Sequence, residues 1–237
     1  MKLILALTGA IIITTLVATF VVYGRGVWVP VMIKISGRQS VADVVASVGS
    51  QARARLAIVF DEASVIYPPS SIYLLAIKDQ ASLELWAGDK NNPQYISTYP
   101  VKAASGSAGP KLREGDKQVP EGLYRVAGLN PNSSFHLSMK LNYPNAFDLK
   151  HARAEGRDSP GSDIFIHGKS VSVGCLAMGD EAIEELFVLA ADIGVDNVSV
   201  VIAPTDPRGA GIKVPGSPVW LPQLYQAIEK EFSYFIR

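Results

Sequence analysis

Cysteine is nearly absent from this chain. Of 237 residues only Cys175 is one, so no internal disulfide can staple the fold. Histidine is scarce too, at three residues, and one His beside one Cys falls short of the three or four ligands of an ordinary metal centre. No metal site is expected. An excess of either charge is also missing: 22 lysines and arginines balance 22 acids, which leaves no electrostatic footprint for nucleic acid. The basic clusters Lys111-Leu112-Arg113 and Lys150-His151-Ala152-Arg153 sit near acids and read as solvated surface. There is no internal repeat and no low-complexity tract.

The length suits one ordinary domain with attachments. Its clearest feature is a run from Leu3 to Tyr23 without a single charge. As a helix that run is ~31 Å long, enough for a bilayer core of about 30 Å. Three readings fit it: an uncleaved membrane anchor, a cleaved signal, or a buried core helix. The anchor is favoured, because the run exceeds a signal's apolar core and Val17-Ala18-Thr19-Phe20 offers no A-x-A cleavage site. Lys2 and the amino terminus compete with Arg25, Lys34 and Arg38, so charge leaves the orientation open. An exported domain meets oxidising conditions in which cysteines pair, yet Cys175 has no partner in the chain. It is bridged to another molecule, kept as a reactive thiol, or buried and inert.

A helical pattern runs from Val41 to about Ala63, with Ser40 as its N-cap and Arg53 and Arg55 on a polar face. Between Ile72 and Ala203 the character changes to short β-type runs separated by turn clusters. They are Ile72–Ile77, Leu83–Ala87, Tyr95–Val101, Leu123–Val126, Phe135–Leu141, Ile164–Ile166 and Val198–Ala203. The expected fold is mostly β with flanking helices (α+β), a small curved β-sheet or sandwich. One later helix stands out. Ile183, Leu186, Phe187 and Ala190 form its apolar stripe, Glu181, Glu184 and Glu185 turn outward, Asp180 caps its start and Gly194 stops it. Thr205–Pro218 reads as a linker and Leu221–Phe235 as a last docked helix. The organisation expected is 1–24 anchor or signal, 25–71 linker and helical segment, 72–204 β-rich main domain, and 205–237 linker and helix.

The stretch Ile166-His167-Gly168-Lys169-Ser170-Val171-Ser172-Val173-Gly174-Cys175 holds a histidine eight positions before the lone cysteine. A strand would deliver His167-Gly168, and the loop Lys169–Val173 would return the chain to Gly174-Cys175 just before a helix. At an ordinary pKa of about 8.5 only ~3% of a thiol is ionised at pH 7; lowering it to about 6.5 would ionise roughly three-quarters. An adjacent imidazolium and a helix N-terminus act in that direction. Gly174 would let backbone approach a substrate, and amides around Cys175 would bind a developing oxyanion. The plain alternative for His167 is a strand-end histidine bonded to a carbonyl. His136 lies on a strand with its facing open, and His151 reads as surface.

The run Ser172-Val173-Gly174-Cys175-Leu176-Ala177-Met178, with His167-Gly168 upstream, resembles the active-site signature of the L,D-transpeptidase catalytic domain (YkuD-type). Val119-Pro120-Glu121-Gly122-Leu123-Tyr124 resembles that family's Pro-x-Gly stretch. Gly109–Asp116 and Leu141–Asp148 are similar to its YafK-type subgroup. The likeness covers about residues 72–204. It implies that Cys175 is the nucleophile and His167 its general base, oriented by a carbonyl such as that of Gly168. Gly168, Gly174 and Ser172 are the candidate orienting and oxyanion-binding positions. The family often has a histidine where this chain has Val173, and its base lies farther upstream. The resemblance further implies peptidoglycan stem peptides as substrate, no metal or organic cofactor, and a catalytic domain held in the periplasm by an inner-membrane anchor. The acyl acceptor is an amine, making a transpeptidase, or water, making a hydrolase that releases a wall-attached lipoprotein. A catalytically idle wall-binding module is the third reading.

Overall fold

The computed structural model describes residues 2–213 and 218–237. Met1 and residues 214–217 of the expected linker lie outside the described residues. The chain divides into two compact units, Met1–Gln39 and Ser40–Arg237. The first holds helices α1 (Lys2–Tyr23) and α2 (Arg25–Ser36). Among the described residues no single helix is long and apolar enough to cross a membrane. The bent pair Leu7–Tyr23 and Arg25–Ser36, at 74°, passes that test together by length and composition.

The second unit begins with α3 (Val41–Glu62), and its start follows the sequence closely. The Ser40 hydroxyl accepts the Asp43 amide while the Asp43 carboxylate accepts the Ser40 amide, a reciprocal capping box. After α3 comes a single eight-stranded sheet, not two packed sheets. Its strands are β1 (Ile72–Ile77), β2 (Ser82–Ala87), β3 (Gln94–Pro100), β4 (Gly122–Ser133), β5 (His136–Leu141), β6 (Phe165–His167), β7 (Leu176–Ala177) and β8 (Val198–Ala203). Their spatial order is β3-β2-β1-β8-β4-β5-β6-β7. Most neighbours are antiparallel, but β1 runs parallel to β8 and β6 parallel to β7. The sheet curls until its two edges meet, for Ala177 of β7 exchanges backbone hydrogen bonds with Ala103, just beyond β3.

Helices cover both faces of the β1–β2–β8 region. Leu74, Leu83, Leu85, Val200 and Ile202 join the core beneath α3 and α5 (Asp180–Ile193). Leu75, Ile77, Trp86 and Val201 join a second core under α6 (Leu221–Phe232). Burial on both faces explains why β1 and β8 read as near-continuous apolar runs.

Several expectations are corrected here. Asp180 does not cap α5; the N-cap is Gly179, without a side-chain cap, and Asp180 binds the amide of Lys169. The glutamates of α5 are not all outward. Glu185 is 9% exposed and joins Arg55 of α3 to Tyr99 of β3, while Glu184 bridges Arg55 and His136. Arg53 and Arg55 are therefore interhelical, Arg53 pairing with Asp192. His151, read as surface, lies on α4 (Ala146–Ala154) with its ring packed against those of Phe147 and Trp220. The sequence reading missed α4 and the two-residue β7.

Candidate active site

β6 places His167. Flanked by β5 and β7, this short strand holds Ser138 and Ala177 opposite His167, whose residue is 3% exposed. The imidazole Nδ1 lies 2.7 Å from the Gly168 carbonyl. A carbonyl can only accept, so Nδ1 carries the proton and Nε2 is left as the basic nitrogen. Phe135, on the turn between β4 and β5, sets its ring 4.8 Å from the imidazole. Gly168 is required by space: a Cβ there would sit 2.7 Å from the Phe135 carbonyl oxygen and 2.9 Å from Asp180 Oδ1.

The following loop is clamped at its base. Lys169 adopts a left-handed backbone, its amide donates to Asp180 Oδ1 at 3.0 Å, and its ammonium pairs with the same carboxylate. At the far end Gly174 turns the chain with φ +86°. Its amide donates to Ser105 Oγ at 2.6 Å, and the Cys175 amide donates to Ser172 Oγ at 3.0 Å. The Ser172 hydroxyl in turn donates to the Cys175 carbonyl at 2.7 Å. Both amides expected to meet an oxyanion are thus already engaged by hydroxyls in this state.

His167 and Cys175 line one cavity of about 280 Å³, together with Phe135, Phe165, Ser172 and Val173. Asn130, Ser133, Ser134 and Ser138 supply amide and hydroxyl groups to its wall. His167 and Cys175 are the titratable side chains of that lining. The thiol's own hydrogen bond, at 3.9 Å, goes to the Asp163 carbonyl and not to the imidazole. Burial pushes the Cys175 thiol up from 9.0, against the Phe165 backbone and the Lys111 charge. Burial also pushes His167 down from 6.5, against its bond to Gly168. These directions oppose the lowered thiol pKa expected from the loop's position. For both groups the loss of water is the largest influence, and it favours the neutral form of each. Among the described residues no three His, Cys, Asp or Glu side chains converge as a metal site.

The motif residues and the sheet around them match a family model described as the YkuD L,D-transpeptidase catalytic domain over residues 71–220. The chain belongs to that family. The putative L,D-transpeptidase YafK of Escherichia coli (strain K12) is 34% identical over 149 residues, or 61% of this chain and 58% of that protein. The chain therefore spans somewhat over half the length of this curated relative. Among solved structures, the helical cell shape determining protein Pgp2 from Campylobacter jejuni is 19% identical with a TM-score of 0.47, covering 67% of this chain and 52% of that one. Bd1075 of Bdellovibrio bacteriovorus is 22% identical with a TM-score of 0.43, covering 72% and 57%.

Within this L,D-transpeptidase domain the structure brings His167, Ser172 and Cys175 to one cavity, while Gly168 and Gly174 adjoin them in the chain without lining it. His136 and His151 stay apart, tied to Glu184 and stacked on Trp220 respectively. Sequence reasoning missed Ser105, Phe135, Asn130 and Ser138. Each comes from another strand or loop, and no local spacing marks them.

Proposed function

We propose that the chain is a peptidoglycan-modifying cysteine acyltransferase in which Cys175 is the nucleophile and His167 its general base. The observation that carries this reading is the contact of His167 Nδ1 with the Gly168 carbonyl, from which its tautomer follows. With Nδ1–H committed to Gly168, Nε2 is the free basic nitrogen of a residue sharing a cavity with the thiol. The substrate proposed is a stem peptide, attacked at the carbonyl on the L-centre of its diamino acid. Nε2 takes the thiol proton as the S–C bond forms; the imidazolium then returns it to the departing amine as the C–N bond breaks. The leaving group is D-alanine or the amine of an attached protein. A thioester on Cys175 remains, and an acceptor amine or water releases it with His167 again taking the proton. The proposed setting is the periplasm, with the apolar run of α1 as tether.

Hydrolysis is the second reading, and Val173 favours it. This side chain is 67% exposed where a second imidazole would stand, so the lining offers one base for both half-reactions. Water needs no prior deprotonation, whereas an ammonium acceptor does. The test is mass spectrometry of crosslinked or protein-linked wall fragments incubated in labelled water, with and without added amine. Label in the released stem carboxylate without amine is the hydrolytic outcome; an acyl-enzyme that clears only with amine leaves transpeptidation alone. Cys175→Ala and Cys175→Ser are expected to lower either activity at least about a thousandfold. Wild-type turnover by the serine variant would remove Cys175 from the chemistry.

A further inference from the structure

We propose that Ser105 is a positioning residue for the nucleophile: its hydroxyl holds the Gly174 amide and so sets how Cys175 presents its thiol. The inference rests on the reading of Cys175 as nucleophile. Ser105 lies outside the signature, in the segment that follows β3. Its Oγ accepts the Gly174 amide at 2.6 Å and donates to the Lys117 carbonyl at 2.7 Å. With its one proton committed to Lys117, the hydroxyl has only lone pairs to offer Gly174, which determines the direction of the contact. Gly174 has no Cβ to brace its left-handed turn, and a Cβ built there would find its nearest neighbour, the Gln118 carbonyl oxygen, 3.6 Å away. The turn that carries the thiol is therefore held from inside the motif by Ser172 and from outside it by Ser105.

The support behind Ser105 is firm. The Val119 amide donates to the Ser105 carbonyl at 3.4 Å, and Gln118 Nε2 donates to the carbonyls of Ser107 and Gly109. Asp116 accepts the amides of Leu112, Arg113 and Gln118. Lys78, at the end of β1, fastens the whole loop through the carbonyls of Gly109 and Val119 and the Glu121 carboxylate. Ser105 is thus a fixed point tied to the sheet. Without its hydroxyl the amide of the buried Gly174 loses its acceptor and must seek another, and the thiol moves with it. A misplacement of about 1 Å in an attack geometry costs on the order of a hundredfold in rate.

The experiment compares Ser105→Ala and Ser105→Thr in the full chain on wall fragments, with active sites counted by thiol titration. The alanine variant is expected to lose about tenfold or more in kcat per titrated thiol, with KM, thermal midpoint and the pH profile of thiol alkylation unchanged. Threonine, which keeps Oγ, is expected to restore most of kcat. Wild-type kcat in the alanine variant overturns the proposal. So does a loss that tracks the thermal midpoint or the titratable fraction and is not rescued by threonine. Full turnover by Cys175→Ala in the same assay would strike the nucleophile reading itself, so the two failures are distinguishable.

Discussion

Withdrawing water from Cys175 and His167 disfavours the charged form of each, so the thiol titrates above 9.0 and the imidazole below 6.5. The proton is therefore expected to leave sulfur as the S–C bond forms, not beforehand. Two pH limits follow, with opposite origins. Alkylation of Cys175 by a small electrophile needs the thiolate, so its rate is expected to rise with a midpoint above 9.0. Acylation by substrate needs neutral Nε2; because the folded value lies below 6.5, that activity is expected to persist as pH falls through 6.5 and to fail only lower. His167→Ala is expected to abolish acylation yet leave the alkylation midpoint in place, since burial and not the imidazole sets it. An alkylation midpoint near neutrality that rises in His167→Ala would instead mean a preformed ion pair. Composition pointed to Cys175 as a residue without a partner, but its acidity depends on the cavity around it. A sequence window around the loop carries no information on that burial.

At the scale of elements, the end of β1 and the start of β4 are joined by a buried ion pair. Lys78 Nζ lies 2.8 Å from Glu121 Oε1, and the Glu121 side chain is fully buried. Glu121 also accepts the Gly109 amide and, through Oε2, the Tyr225 hydroxyl of α6. One carboxylate thus ties sheet, loop and last helix together. Burial pushes Lys78 down against the pull of Glu121, and removing that partner leaves a cation without compensation. Glu121→Ala is expected to cost about 3–5 kcal/mol in denaturant unfolding, with a smaller loss for Glu121→Gln, which keeps an acceptor oxygen. A cost under about 1 kcal/mol for alanine would show that water replaces the carboxylate. Elements closed by local chemistry were legible in advance. The Ser40 cap and the Gly194 stop depend on residues within a turn of the helix end, whereas Asp180, an equally good cap by composition, is drawn away by Lys169 from across the loop.

The molecule as a whole divides after Gln39. The catalytic unit carries its own two cores, one on each side of β1 and β8, and its own cavity. Residues 40–237 expressed alone are therefore expected to unfold at the same midpoint as the full chain and to keep turnover on soluble wall fragments. Loss of folding on truncation would mean that the first unit contributes to the core. The full chain is expected to stay with carbonate-washed membranes through residues 3 to 23; recovery as a shortened soluble species would mark that run as a cleaved signal. α6 also belongs to the scale of the whole unit: Leu224, Ile228 and Phe232 cover Leu75, Trp86 and Val201 on the sheet face opposite α3.

The sequence by itself determined what depends on near neighbours. Apolar runs set β1 and β8 with the bounds they have in the structure, alternation and turns set most other strands, and the His167–Cys175 motif pointed to the family. Only the tertiary structure decided that β1 lies parallel to β8, more than a hundred residues away, and that one curled sheet closes on itself through Ala103 and Ala177. It alone brought Ser105 to Gly174, Phe135 to His167 and Glu185 to Arg55 and Tyr99. Strand order, register and burial arise from contacts between distant segments, and the polarity of a site follows from which of them exclude water. Local pattern encodes a residue's tendencies, while the partners that override them are chosen by the folded chain.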